Sequence, residues 1–192
     1  MTDIAGVVAL ADGHVEGYAS SLLKHLNGKH RSSGRLVHAG RAAFALLRPH
    51  EQGRAEFQSG VHENSDTVEL ADARLTNRSE IGVLLALSPD QLAETSDGAL
   101  VTRLCRQFGA RGIARALGAF VFALWDERAQ RLVLGRDCLG ERTLFFHCGD
   151  GFVAFASELK TLLSLPFVPH ALDEDTLANY IAVNLRRPSQ TF

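Results

Sequence analysis

The chain has 192 residues with 20 Lys and Arg, 22 Asp and Glu, and a formal net charge of −2, enough for one ordinary domain, or one plus the start of another, with a core that needs no cross-links. The charges are interspersed, which excludes the basic stripe that nucleic acid binding requires. Apolar runs such as Ile4 to Ala11 and Ala119 to Trp125 fall short of the ~20 residues of a membrane span, and Asp3 stands where a secretion signal carries positive charge.

Cys105, Cys138 and Cys148 show no CxxC pair and no ligand spacing, so free thiols in the cytoplasm are expected. The histidines, His38 and His147 among them, lack two-ligand spacing, and no metal is expected.

In chain order, "IAGVVALA" reads as a buried strand ended by Asp12-Gly13. Tyr18, Leu22, Leu23 and Leu26 fall at helical spacing, with Asn27-Gly28 as a left-handed stop. Gly34 to Leu47 predicts two short strands broken near Ala39-Gly40, and "DTVELADARL" predicts another after a polar stretch from His62 to Asp66. Ser79 to Leu87 and Ala99 to Phe108 predict helices, the second with Ser96 or Asp97 placed to cap it and Gly109 beyond its end.

Further on, "GAFVFALWDERAQRLVLGRD", "TLFFH" and "FVAFAS" predict a four-strand antiparallel meander with turns at Glu127 to Gln130 and Gly149 to Gly151. Phe120, Phe122, Trp125, Phe145, Phe146 and Phe155 alternate on these strands as core. His147-Cys148 reads as a strand end, and Arg136-Asp137 as turn chemistry. A helix from Glu158 to Leu163, a break at Pro166 to Pro169 and an amphipathic helix from Asp173 to about Val183 complete an α+β domain of layered sheets and helices.

The stretch from Ser96 to Leu163, with Ser96-Asp97 before a helix, the "GAFVFALWD" strand, and Arg136, Asp137, Leu139 and Gly140 in an "RDxLG" turn, closely resembles the amidotransferase domain of the asparagine synthetase family. Ile4-Ala5-Gly6 match the family's Met-Cys-Gly-Ile-Ala-Gly start, and Leu75-Thr76-Asn77 match the end of its "NGEIYN" segment. The resemblance implies a four-layer αββα sandwich of two antiparallel sheets, the fold of N-terminal nucleophile hydrolases. It places this domain at 1–165 and, at 166–192, a linker and the start of a C-terminal synthetase domain. Such a synthetase domain needs ATP and Mg²⁺; no phosphate-cradling glycine-rich loop occurs in this chain.

Active members hydrolyse glutamine at an N-terminal cysteine. Here removal of Met1 leaves Thr2, whose hydroxyl and free amine are attacker and base on one residue, while Asp3 replaces a glycine. The family's oxyanion donors, an Asn amide and a Gly N–H, fall at Asp72 and Ala73, and its pocket Glu falls at Arg74. An ionised Asp72 only accepts hydrogen bonds and repels a developing anion. Two pocket features persist in the resemblance: Asp97, for the substrate ammonium or as a helix cap, and an arginine for the substrate carboxylate, Arg41 or Arg48.

These departures favour a domain without glutaminase chemistry, attached in cis to an AMP-forming ligase that closes rings or otherwise needs no ammonia, similar to lasso peptide cyclases and β-lactam synthetases. Its substrate is then a peptide or small-molecule carboxylate, and a homodimer is compatible with it. Two alternatives are an active glutaminase using Thr2 and a non-catalytic module that binds glutamine.

Overall fold

In the computed structural model, which describes residues 3–10, 15–27, 32–49, 59–63 and 67–182, β1 (Asp3–Ala9) is the middle strand of a five-stranded sheet. It lies between β3 (Ala42–Pro49) and β9 (Phe152–Ala156), and β2 (Ser32–Ala39) and β8 (Phe145–Gly149) are the edges. A four-stranded sheet follows the order β4 (Ser59–Glu63), β5 (Thr67–Leu75), β6 (Gly118–Asp126), β7 (Arg131–Arg136). Every described pairing is antiparallel.

Side-chain alternation sorts the apolar residues into three cores. On β1, Ala5, Val7 and Ala9 join Leu22 of α1 (Glu16–Asn27), whereas Ile4 and Val8 join Val68 and Leu70 of β5 between the sheets. On β5 the odd residues Ala71, Ala73 and Leu75 turn outward, under Leu100, Val101 and Leu104 of α4 (Asp97–Phe108). The result is a four-layer αββα sandwich. Because β1 and β5 are covered on both faces, they read as near-continuous apolar runs rather than alternating ones.

Gly6 explains one detail of the first strand. It pairs with Phe44 on one side and Phe155 on the other, and their rings meet edge to face over it, centroids 5.1 Å apart. A methyl group at position 6 falls 2.5 Å from both rings. The Gly6→Ala variant is therefore expected to lose about 1–3 kcal/mol through overpacking; its urea midpoint, compared with that of the parent chain, checks this.

Several sequence expectations need correction. The four-strand meander does not form: β6 and β7 pair in one sheet, β8 and β9 in the other, and residues 137–144 cross between them. His147 and Cys148 lie within β8, paired with Ala154 and Val153, rather than at a strand end. Phe146 is 59% exposed and is not core. The polar stretch after position 58 contains β4, and two short helices went unpredicted, α3 (Pro89–Glu94) and α5 (Ala110–Ile113). The helix predicted from Ser79 is α2 (Arg78–Leu84), and the last two are α6 (Leu159–Leu163) and α7 (Glu174–Ile181). The Asp12-Gly13 turn, Gly28 and Val183 lie outside the described residues. No helix among the described residues is long and apolar enough to cross a membrane.

Candidate functional site

Register builds the site from the inner face of the four-stranded sheet. Residues directly opposite in antiparallel strands share a face, so Val68, Trp125 and Leu132 form one inward row and Leu70, Ala123 and Leu134 the next. The following row is Asp72, Val121 and Arg136, and Arg74 with Ala119 comes after it. The inter-sheet space thus passes from apolar to charged within two rows. Asp72 is 2% exposed; Arg74 and Arg136 are exposed.

The crossover between the sheets is organised by Asp137, a buried carboxylate. Its Oδ2 accepts the N–H groups of Arg142 at 3.0 Å and Phe120 at 3.4 Å, and Oδ1 accepts that of Glu141 at 2.9 Å. Burial by itself pushes this carboxyl up, but the N–H groups of Arg142, Glu141, Phe120 and Gly140 outweigh it and hold it below the usual carboxylate range. Gly140, at φ +71°, provides the left-handed turn. The structural reading of Asp137 therefore holds, although the turn joins two sheets and not two strands of one hairpin.

Two residues leave this loop toward the site. Arg142 Nη2 pairs with Asp72 Oδ2 at 3.2 Å, and the Thr143 hydroxyl donates to the Ser157 carbonyl at 2.6 Å. Ser157 in turn accepts the N–H of Ile4 on its hydroxyl at 3.1 Å and donates to Asp3 Oδ1 at 3.3 Å. One chain of contacts thus runs from the start of β1, through Ser157 and the crossover, to Asp72. Thr2 itself lies outside the described residues.

Asp97, buried at the first turn of α4, is not the cap: Ser96 is, accepting Ala99 N–H at 3.2 Å. The Asp97 carboxylate instead accepts Leu75 N–H on Oδ2 at 2.8 Å and pairs through Oδ1 with Arg78. Arg78 also donates to the carbonyls of Leu92 at 2.7 Å and Thr95 at 2.8 Å. Both Asp97 oxygens are engaged by the chain's own donors, one on each. Asn77 has a structural role, donating to the Arg115 carbonyl at 3.0 Å and accepting Leu117 N–H at 3.0 Å.

The two candidate arginines lie at opposite ends of β3. Arg48 pairs with Ser33, one residue past the Asp3–Leu47 pair, at the end where β1 begins. Arg41 lies in the β2–β3 turn, its carbonyl accepting Ala9 N–H at 2.9 Å, roughly 20 Å away along the strand. The backbone therefore brings position 48, and not 41, to the neighbourhood of Asp3. The Arg48 side chain lies outside the described residues.

Sequence reasoning missed Arg142, Arg78 and Ser157. None carries a local signal, because each acts on a residue from 19 to 154 positions away. No described residues form a group of three or more metal-ligating side chains. Cys105 offers no thiolate nucleophile: burial, the largest influence on it, pushes its thiol up.

The family described as a glutamine amidotransferase domain matches residues 38–192. Asparagine synthetase [glutamine-hydrolyzing] 2 of Bacillus subtilis is 26% identical over 141 residues, covering 70% of this chain and 19% of that protein. The amidase chyE of Penicillium rubens is 33% identical over 79 residues, covering 41% of this chain and 12% of that protein. The aligned parts thus span less than a fifth of these curated relatives. A solved structure of glutamine phosphoribosylpyrophosphate amidotransferase from B. subtilis, complexed with ADP and GMP, aligns with a TM-score of 0.54 at 13% identity, covering 83% of this chain and 42% of that one. That likeness is one of fold, an α+β sandwich of the N-terminal nucleophile hydrolase type.

Proposed function

This chain belongs to the glutamine amidotransferase domain family, and we propose that it is a member that does not hydrolyse glutamine. In this reading, residues 1–165 are a non-hydrolysing domain of an asparagine-synthetase-type ligase, and 166–192 lead into its ligase domain. The parent protein joins a carboxylate to an amine of its own substrate, closing a ring or otherwise needing no ammonia, as lasso peptide cyclases and β-lactam synthetases do. ATP and Mg²⁺ serve that ligase domain, outside this chain. The domain described here encloses or positions a peptide or small-molecule carboxylate.

The observation that supports this reading is the pairing of Asp72 with Arg142. Acyl transfer from glutamine builds negative charge on the carboxamide oxygen, which a glutaminase meets with preorganised donors. Asp72, at the position of the family's amide donor, carries no N–H and, ion-paired with Arg142, presents only acceptor oxygens there. Loss of one such donor costs roughly 10²- to 10³-fold in rate, before charge repulsion is added. The engagement of Asp97 by Leu75 and Arg78 also gives that carboxylate a structural role independent of any glutamine ammonium.

Incubation of the purified chain with glutamine, with glutamate measured over time, tests this. The expected result is no glutamate above the protein-free rate, with Thr2→Ala indistinguishable from the parent. Glutamate release that Thr2→Ala abolishes would overturn the proposal and establish Thr2 as the nucleophile.

A further inference from the structure

Resting on the reading that glutamine is not hydrolysed here, we propose that the mouth of the inter-sheet space binds a small dicarboxylate without an ammonium group, gripped by Arg74 and Arg136. Both arginines stand on the inner face, in adjacent rows, and both are exposed. Neither has an ion-pair partner among the described residues. Strand spacing puts the Cα atoms of Asp72 and Arg136 about 10 Å apart and those of Asp72 and Arg74 about 7 Å apart. Arg74 and Arg136 therefore stand about 12 Å apart at Cα, diagonally across the sheet, a gap that two arginine side chains span from either side of one small ligand.

The Arg136 guanidinium is held close to the crossover loop, since a methyl group at Gly140 would lie 3.3 Å from its Nη1. Two residues further on, Arg142 enters the same region from the loop, and its buried Nε–H has no acceptor among the described residues. The guanidinium groups of Arg74, Arg136 and Arg142 therefore gather at the end of the inner face that holds Asp72 and Asp137. Asp137 is turned to backbone N–H groups and Asp72 to Arg142.

This chemistry selects the ligand. Planar guanidinium forks match carboxylates bidentately, whereas an ammonium meets two exposed guanidinium groups of its own sign. Glutamine carries both charges on one carbon; a five-carbon diacid has the same reach with carboxylates alone. The site's preference is thus opposite in sign to that of a glutamine pocket at its ammonium end.

Isothermal titration of the chain with glutarate, glutamine and inorganic phosphate tests the proposal, alongside Arg74→Gln and Arg136→Gln. Saturable glutarate binding is expected, weakened about 10-fold or more by each substitution through loss of a charge-assisted contact, with glutamine and phosphate at least 10-fold weaker than glutarate. Both residues are exposed, and an unchanged thermal midpoint confirms that the variants are folded. No glutarate binding, binding indifferent to both substitutions, or equal or tighter binding of phosphate or glutamine would each overturn it. Glutamate assayed in the glutamine samples reports separately on the non-hydrolysing reading: silence there with no glutarate binding sinks this inference alone.

Discussion

Replacing Asp137 by alanine is expected to destabilise the chain by about 3–5 kcal/mol at pH 7, among the largest effects of any single polar substitution in it. The carboxylate is 4% exposed and accepts N–H groups from Phe120, Glu141 and Arg142. Alanine leaves those donors without their carboxylate acceptor in a buried position. A hydrogen bond to a charged group contributes about 1.5–3 kcal/mol, and a buried donor left unmade costs about 1–3 kcal/mol; three such losses do not add fully, because the loop relaxes. For a domain of this size the expected change in thermal midpoint is of the order of 10 °C. Asparagine is expected to lie between, since its carbonyl keeps one side of the arrangement and its NH₂ group opposes the other.

The same carboxylate sets a pH dependence with a definite sign. Its folded-state pKa is held below the usual range, so its contribution is fully present above the unfolded value of about 3.9 and is lost as pH falls through the folded value. The gap between the parent and Asp137→Ala is therefore expected to be widest near neutrality and to narrow on acidification below about pH 4. Urea titrations at several pH values measure it; a gap that widens in acid would show that the carboxylate does not hold the loop in its charged form.

Asp137 also marks where sequence reading stops. Strands β6 and β9, one strand removed from it on each side, were legible, because "GAFVFALWD" and "FVAFA" have the composition of covered strands and lie beside clear turns. The hairpins β6–β7 and β8–β9 form as predicted, but the pairing of β7 with β8 does not. Alternation specifies which face a residue takes but not which strand lies beside it, and the short spacing between β7 and β8 suggested a hairpin. What sends the chain to the other sheet is a carboxylate bonded to Phe120, 17 residues earlier, an interaction with no local signature. By contrast, α3 had a readable start, Ser88-Pro89 followed by Gln91, and the structure forms the full capping box there.

The site divides in the same way. Asp72 and Arg74 were identified through the "LADARLTN" segment, and the structure puts both on the inner face. The arginine that pairs with Asp72 comes from 70 positions away on the crossover loop and could be found only once the fold had brought them together. Asp97 shows the converse: helix-start statistics make Asp a reasonable cap, yet the hydroxyl one residue earlier takes that role and frees the carboxylate for Leu75 and Arg78.

The second large effect concerns that distant pair. Arg142→Leu is expected to cost about 3 kcal/mol or more, because it takes the Arg142 guanidinium from a carboxylate whose side chain is 3% exposed. The Arg142 side chain is 19% exposed and keeps some access to water, so Asp72→Leu, which strands the arginine, is expected to cost less. The double variant Asp72→Leu with Arg142→Leu removes both desolvated charges, and such replacements are often neutral or stabilising by about 1–4 kcal/mol. It should therefore recover much of what the single Arg142 change loses. Urea midpoints of the four chains give the coupling directly; additive losses would mean that the two charges act independently. If coupling is strong, the pair is a self-contained structural unit occupying the place where a glutaminase keeps a neutral donor. Converting Asp72 to asparagine alone then supplies an amide but leaves Arg142 unpaired beside it.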